Sequence, residues 1–218
     1  GFQPAEFMKL NLILYLSWFI SKHQSRINAV FYDTMKKPLL ITAAAVMMVF
    51  LQPDLGGAAI IAFICLVMFL HCGIKVKYGI MTFGAIGAIY GLIIVVVRTF
   101  GSSIPFFHSY QIERITSFID PFADIQDSGY QVVNSYYALS RGGLFGVGIG
   151  ESIQKSGYLP EPHTDFILSI VGEELGLVGV AFVLVLFFYM VYRIFKNAIK
   201  IKDPFAQLVC TGIGTMFL

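Results

Sequence analysis

Gly157-Tyr158-Leu159-Pro160-Glu161-Pro162-His163-Thr164-Asp165-Phe166-Ile167 marks the point where a long polar stretch turns into an apolar helix. Pro160 and Pro162 fix their own φ and hold the residues before them extended. Thr164 or Asp165 suits the helix N-cap, because either side-chain oxygen accepts from a free first-turn N–H. A cap explains one polar residue. It leaves Glu161, His163 and Asp165 crowded at one helix entrance, with Glu173 and Glu174 about two turns further in. An acid with a His beside it, at the mouth of a membrane helix, is a place for chemistry on a polar headgroup.

The apolar helix that follows covers about residues 166–192, long enough to cross a bilayer with some tilt. The rest of the chain has the same character. It is 57% hydrophobic and 13% charged, with a mean hydropathy of +0.76, where a soluble domain carries about 25% charged residues. Further apolar segments fall at about 2–20, 38–51, 58–72, 79–97 and 205–218, several near the ~18–20 residues that span a membrane. The fold class is therefore all-α, polytopic and membrane-embedded. Gly1 is not an initiator Met, and the run 205–218 stops short of a span. The expectation is an internal piece of a larger membrane protein, forming one membrane domain over 1–218.

Between these spans the chain is informative in places. Pro4 suits a first helical turn. Glu6 and Lys9 are three apart and share a helix face; they are either an interfacial ion pair or an acid and base lining a cavity. Residues 21–37 read as a polar loop. Asp54, after Gln52-Pro53, reads as the cap of the next helix. Cys65, Cys72 and Cys210 lie in or beside apolar segments, as small core residues do, and give no disulfide framework. Residues 98–164 form a loop too long to lack structure of its own, with short helical patterns at 109–118 and 131–139. Gly142, Gly143, Gly146, Gly148 and Gly150 faintly resemble a dinucleotide loop, but no βαβ unit follows and that reading is rejected. These glycines let a backbone bend tightly or approach a ligand.

Charge placement orients the chain. Ten of its 15 Lys and Arg lie in 22–37, 75–77 and 193–202. These are alternate loops, so all face one side, and basic loops mark the cytoplasm. The long loop and Asp165 then face outward, where no ATP is available and a reaction must draw its energy from its substrate.

Several stretches together resemble one family: residues 2–10 around Glu6 and Lys9, Gln52-Pro53-Asp54-Leu55-Gly56, Gly129-Tyr130-Gln131-Val132-Val133-Asn134-Ser135, Gly142-Gly143-Leu144-Phe145-Gly146, the 158–167 stretch and Gly172-Glu173-Glu174-Leu175-Gly176. In order and topology they are similar to the SEDS proteins (shape, elongation, division and sporulation), the FtsW/RodA/SpoVE family. The compact 148–160 segment resembles the division branch most. Pro162 stands where the family commonly has Ala, and Arg141 where it has a small or amide residue.

The resemblance implies a SEDS-type helical bundle, with about six of the family's ten membrane helices and a large extracytoplasmic loop. It implies a glycosyltransferase that polymerises lipid II into peptidoglycan outside the cytoplasmic membrane, with undecaprenyl pyrophosphate as leaving group. The family's essential acid falls on Asp165, as general base and as a possible ligand for a divalent cation, Mg or Mn. Its cavity pair falls on Glu6 and Lys9. Lys9, Arg114 and Lys155 are the candidates to face the pyrophosphate, with Glu161, His163 and Thr164 as further substrate contacts; His163 reads equally as a polar helix-start residue. The implied partners are a class B penicillin-binding protein (the transpeptidase) and other membrane proteins of the division machinery at the septum, with no nucleic acid. Three other readings stay open: a lipid II flippase, an elongation-type RodA polymerase, and a scaffold that only recruits an enzyme.

Overall fold

The structure, a computed structural model, describes residues 3–29, 31–52, 54–71, 95, 120–122, 125 and 129–218 of the 218-residue chain. Among these residues it has α1 (Pro4–Ala29), α2 (Phe31–Leu51), α3 (Leu55–His71), α4 (Tyr130–Gly142), a 3-10 turn (Gln154–Ser156), α5 (Ile167–Lys200) and α6 (Pro204–Phe217), and no strand. Asp33–Leu51 and Ile167–Lys200, 19 and 34 residues, are long and apolar enough to cross a membrane. α5 has 34 residues, more than the ~20 that cross a hydrocarbon core of ~30 Å. Its far end is basic and aromatic: Arg193 lies over Tyr189 and Lys196 over Tyr192, 6.0 and 5.4 Å from the ring centroids. The expected segment 79–97, the pattern at 109–118 and Arg114 lie outside the described residues, Val95 excepted.

In the stretch 21–37, expected as a loop, residues 21–29 and 31–37 are helical instead. Their charges are placed as helices favour: Arg26 in the last turn of α1, Asp33 in the first turn of α2, and Lys36 2.7 Å from Asp33. α1 kinks at His23 (φ −115°), whose ring stacks on Phe19 at 4.4 Å and bonds the Phe19 carbonyl. Pro38 does not open a helix; it is buried inside α2. The pattern at 131–139 is α4.

The chain packs as two compact units, Gly1–Tyr90 with Tyr189–Leu218, and Gly91–Phe188. In the first, α1 packs on α2, α3 and α6, and α3 on α2 and α6. Ile13, Leu16 and Ile20 of α1 meet Met35 and Val49 of α2, Ile61, Ile64 and Met68 of α3, and Leu208 of α6. In lipid, helices associate by close packing rather than by dehydration. Gly212 of α6 provides it: a Cβ there would stand 2.6 Å from Ile13 Cγ2 and 3.2 Å from Met68 Sδ. Asp54 caps α3, its Oδ1 accepting from Gly57 N–H at 2.8 Å.

The second unit is built around a break. Gly176, inside α5, takes φ 70° and ψ −172°, a region open essentially to glycine alone. A broken helix leaves carbonyls before the break and N–H groups after it without partners, at several kcal/mol each inside a bilayer. Segment 143–148 supplies them. Val147 and Gly148 N–H donate to the Glu173 and Glu174 carbonyls at 3.0 and 3.1 Å. The Gly143 and Leu144 carbonyls accept from Leu177 and Val178 N–H at 2.9 and 3.2 Å. Two glycines permit this approach: a Cβ on Gly142 would lie 1.9 Å from the Gly172 carbonyl oxygen, and one on Gly146 2.1 Å from that of Glu174. The glycine-dense stretch thus serves a backbone-to-backbone contact.

Candidate active site

From the break the chain runs back toward Asp165 through a pinned loop. Glu173 is fully buried. Its Oε1 accepts from Arg141 Nη1 at 2.6 Å and Ile153 N–H at 3.1 Å. Its Oε2 accepts from Ser152 Oγ at 2.5 Å and Gln154 N–H at 3.3 Å. Arg141 also reaches the Glu151 carbonyl, at 3.1 Å. Beside this cluster Lys155 pairs with Glu174. Glu173 and Glu174 therefore tie down the 3-10 turn; Arg141 and Ser152, which sequence reasoning gave no role, complete the anchor.

Beyond the 3-10 turn, Leu159 N–H bonds the Gln154 carbonyl at 2.9 Å and the Leu159 side chain is buried. Glu161 then adopts φ 51°, left-handed and uncommon for a residue with a side chain. That twist turns its carbonyl to accept from both Thr164 and Phe166 N–H at 3.4 Å. Thr164 Oγ1 donates to the Glu161 carboxylate at 3.1 Å. Asp165 sits inside this turn, two residues before Ile167 opens α5. Glu161, His163, Thr164 and Asp165 are all exposed.

The Asp165 carboxylate bonds to none of the described residues, so the capping role open to it is not the one it plays. A carboxylate held by its backbone, open to solvent and unpaired can accept a proton from a substrate. Just past it, Leu168, Gly172, Leu177 and Val180 of α5 with Leu139 and Leu144 line an apolar cleft of about 460 Å³. Among the described residues no three His, Cys, Asp or Glu side chains converge as a metal cage. One exposed carboxylate still suits Mg²⁺, which binds through one or two carboxylates plus phosphates and water.

The other site candidates are engaged or belong to a different unit. Lys9 is buried and bonds Glu6 Oε1 at 2.7 Å, while Glu6 is half exposed; both belong to the first unit, whereas Lys155, Glu161, His163, Thr164 and Asp165 belong to the second.

Across residues 1–218 the chain matches the profile of the FtsW/RodA/SpoVE family, described as "Cell cycle protein". It belongs to that family. It is 41% identical over 214 residues to "Probable peptidoglycan glycosyltransferase FtsW" of Bacillus subtilis (strain 168), covering 98% of this chain and 52% of that protein. To "Stage V sporulation protein E" of the same organism it is 38% identical over 216 residues, covering 98% and 55%. A solved structure titled "Structural coordination of polymerization and crosslinking by a peptidoglycan synthase complex" superposes with a TM-score of 0.67 at 27% identity, covering 99% of this chain and 56% of that one. The chain thus spans about half the length of the relatives it matches.

For this FtsW/RodA/SpoVE member, the Gly172-Glu173-Glu174-Leu175-Gly176 stretch holds the structural key that the sequence left unread. Its two acids bind the 3-10 turn, and its last glycine makes the break. The available signal was a pair of acids inside an apolar run, which are costly in a membrane unless partnered.

Proposed function

We propose that this protein is a peptidoglycan glycosyltransferase that polymerises lipid II at the outer face of the cytoplasmic membrane, for septal wall synthesis, with Asp165 as general base. The observation that carries the reading is Asp165 itself, an exposed carboxylate, unpartnered among the described residues, on a hydrogen-bonded turn at the head of an apolar helix. Relatives at 41 and 39% identity bear the name of that activity.

The chemistry follows from what a free carboxylate can do. Asp165 accepts the proton of the acceptor sugar's 4-hydroxyl as that oxygen attacks the donor's anomeric carbon. The new glycosidic bond forms as the bond to undecaprenyl pyrophosphate breaks. Pyrophosphate leaves as a stable anion, so no second carboxylic acid is needed to protonate it, unlike in glycoside hydrolysis. The cleft past Asp165 is apolar, as a prenyl chain requires.

The leaving anion calls for positive charge. Lys155 is spent on Glu174 and Arg141 on Glu173. Asp165 would hold a Mg or Mn ion together with the substrate's phosphates, and such an ion supplies the screening charge. We further propose a class B penicillin-binding protein as partner, because the solved relative comes from a complex that coordinates polymerization with crosslinking.

A lipid II flippase is the second reading, favoured by the buried Lys9 and its Glu6 partner within α1. The full-length protein, reconstituted in vesicles with its transpeptidase partner, labelled lipid II and Mg²⁺ or Mn²⁺, separates the two. Glycan polymer is the expected product. Lipid II crossing the bilayer with no polymer under any condition contradicts the polymerase.

A further inference from the structure

We propose that Glu173 is a positioning residue: through Arg141 and the 152–154 turn it sets where the Asp165 carboxylate stands. The proposal rests on the reading of Asp165 as the base. It starts from a cost. A charged carboxylate buried in a membrane-type helix is unfavourable unless it is partnered. Here the charge is matched completely. Both oxygens take two donors, one of them a guanidinium, which fills the four acceptor positions of a carboxylate. A fully satisfied polar cluster fixes geometry, because any shift leaves a buried group unpaired.

What the cluster fixes is the near end of the loop that carries Asp165. The far end is α5 itself. Between the two, every tie runs toward Asp165: Ser152 Oγ accepts from Lys155 N–H at 3.2 Å, the Gln154 carbonyl from Leu159 N–H, and the Glu161 carbonyl from Thr164 and Phe166 N–H. Asp165 has no side-chain bond of its own among the described residues, so its placement depends on this backbone alone. Glu173 stands in the short part of α5 ahead of the Gly176 break. That part is bonded to segment 147–148 through the carbonyls of the same two acids that hold the 3-10 turn. Loop, anchor and carboxylate are therefore joined through these bonds and the backbone between them.

The test uses the full-length protein with its partner, in four forms: wild type, Glu173→Gln, the double variant Glu173→Met with Arg141→Met, and Asp165→Asn. The double variant removes the pair together and so avoids stranding a buried charge. Polymerisation is measured as kcat and KM per folded molecule, alongside hydrogen exchange of 155–166. Expected are a double variant that still folds, with a lowered thermal midpoint because Ser152 Oγ and the Ile153 and Gln154 N–H groups lose their acceptor, a kcat per folded molecule lower by about 10- to 100-fold at similar KM in both Glu173 forms, and faster exchange confined to 155–166. Wild-type kcat per folded molecule in the double variant, or unchanged exchange in 155–166, overturns the positioning role. Full activity in Asp165→Asn overturns the base reading, and the positioning proposal with it.

Discussion

The Gly143 carbonyl accepts the Leu177 N–H at 2.9 Å, across the break that Gly176 makes in α5. One chain segment thereby completes the hydrogen bonding of another at the point where a membrane helix cannot complete its own. Gly176→Ala attacks this directly. Its Cβ would stand 2.4 Å from both Gly146 N and the Leu144 carbonyl oxygen, at a positive φ. The expected loss is at least about 2 kcal/mol, read as a lowered thermal midpoint of the detergent-solubilised full-length protein.

Gly142 and Gly143 are neighbours that resist a side chain for different reasons. A Cβ on Gly142 meets the Gly172 carbonyl oxygen at 1.9 Å, while one on Gly143 (φ 54°) meets nothing within 4 Å. Gly142→Ala is expected to destabilise severely. Gly143→Ala meets no atom but is forced into φ 54°, ψ −139°, a conformation that only glycine adopts readily, and is expected to cost about 1–3 kcal/mol. Thermal unfolding of the two variants side by side checks the contrast.

Asp54→Ala removes the bond to Gly57 N–H and is expected to cost about 1 kcal/mol, with Asp54→Asn retaining most of it. A larger loss from Asn than from Ala would show that Asp54 acts otherwise.

How far the sequence could be read follows from distance along the chain. The start of α1 at Pro4, the Asp54 cap and the Glu6–Lys9 bond are all made within four residues, so spacing alone announces them. The anchor under the site is not of that kind: Arg141 reaches Glu173 across 32 residues, and no local pattern links the two. The glycines of 142–150 signalled a close approach without showing to what. Residues 21–37 misled because their polar composition suggested a loop, whereas their charges sit at helix ends where the dipole favours them. Pro38, the first residue of the expected segment 38–51, is carried inside α2.

Glu6 and Lys9 are unequally exposed, and the two substitutions should differ accordingly. Glu6→Gln strands a buried ammonium, whereas Lys9→Met leaves a half-exposed carboxylate that water can solvate. The larger drop in thermal midpoint is expected from Glu6→Gln. Equal drops would show that the pair is not read by its burial.

Asp165 carries the central claim, and replacing it with a near-isosteric amide tests it most directly. Wild-type and Asp165→Asn full-length protein, each with the transpeptidase partner, are given labelled lipid II and a divalent ion after equal folding and partner binding have been shown. The account predicts glycan polymer from wild type and a loss of at least about 100-fold in Asp165→Asn, the range set by general-base catalysis. Equal polymer from both would contradict it and leave Asp165 as an exposed turn residue with no part in the reaction.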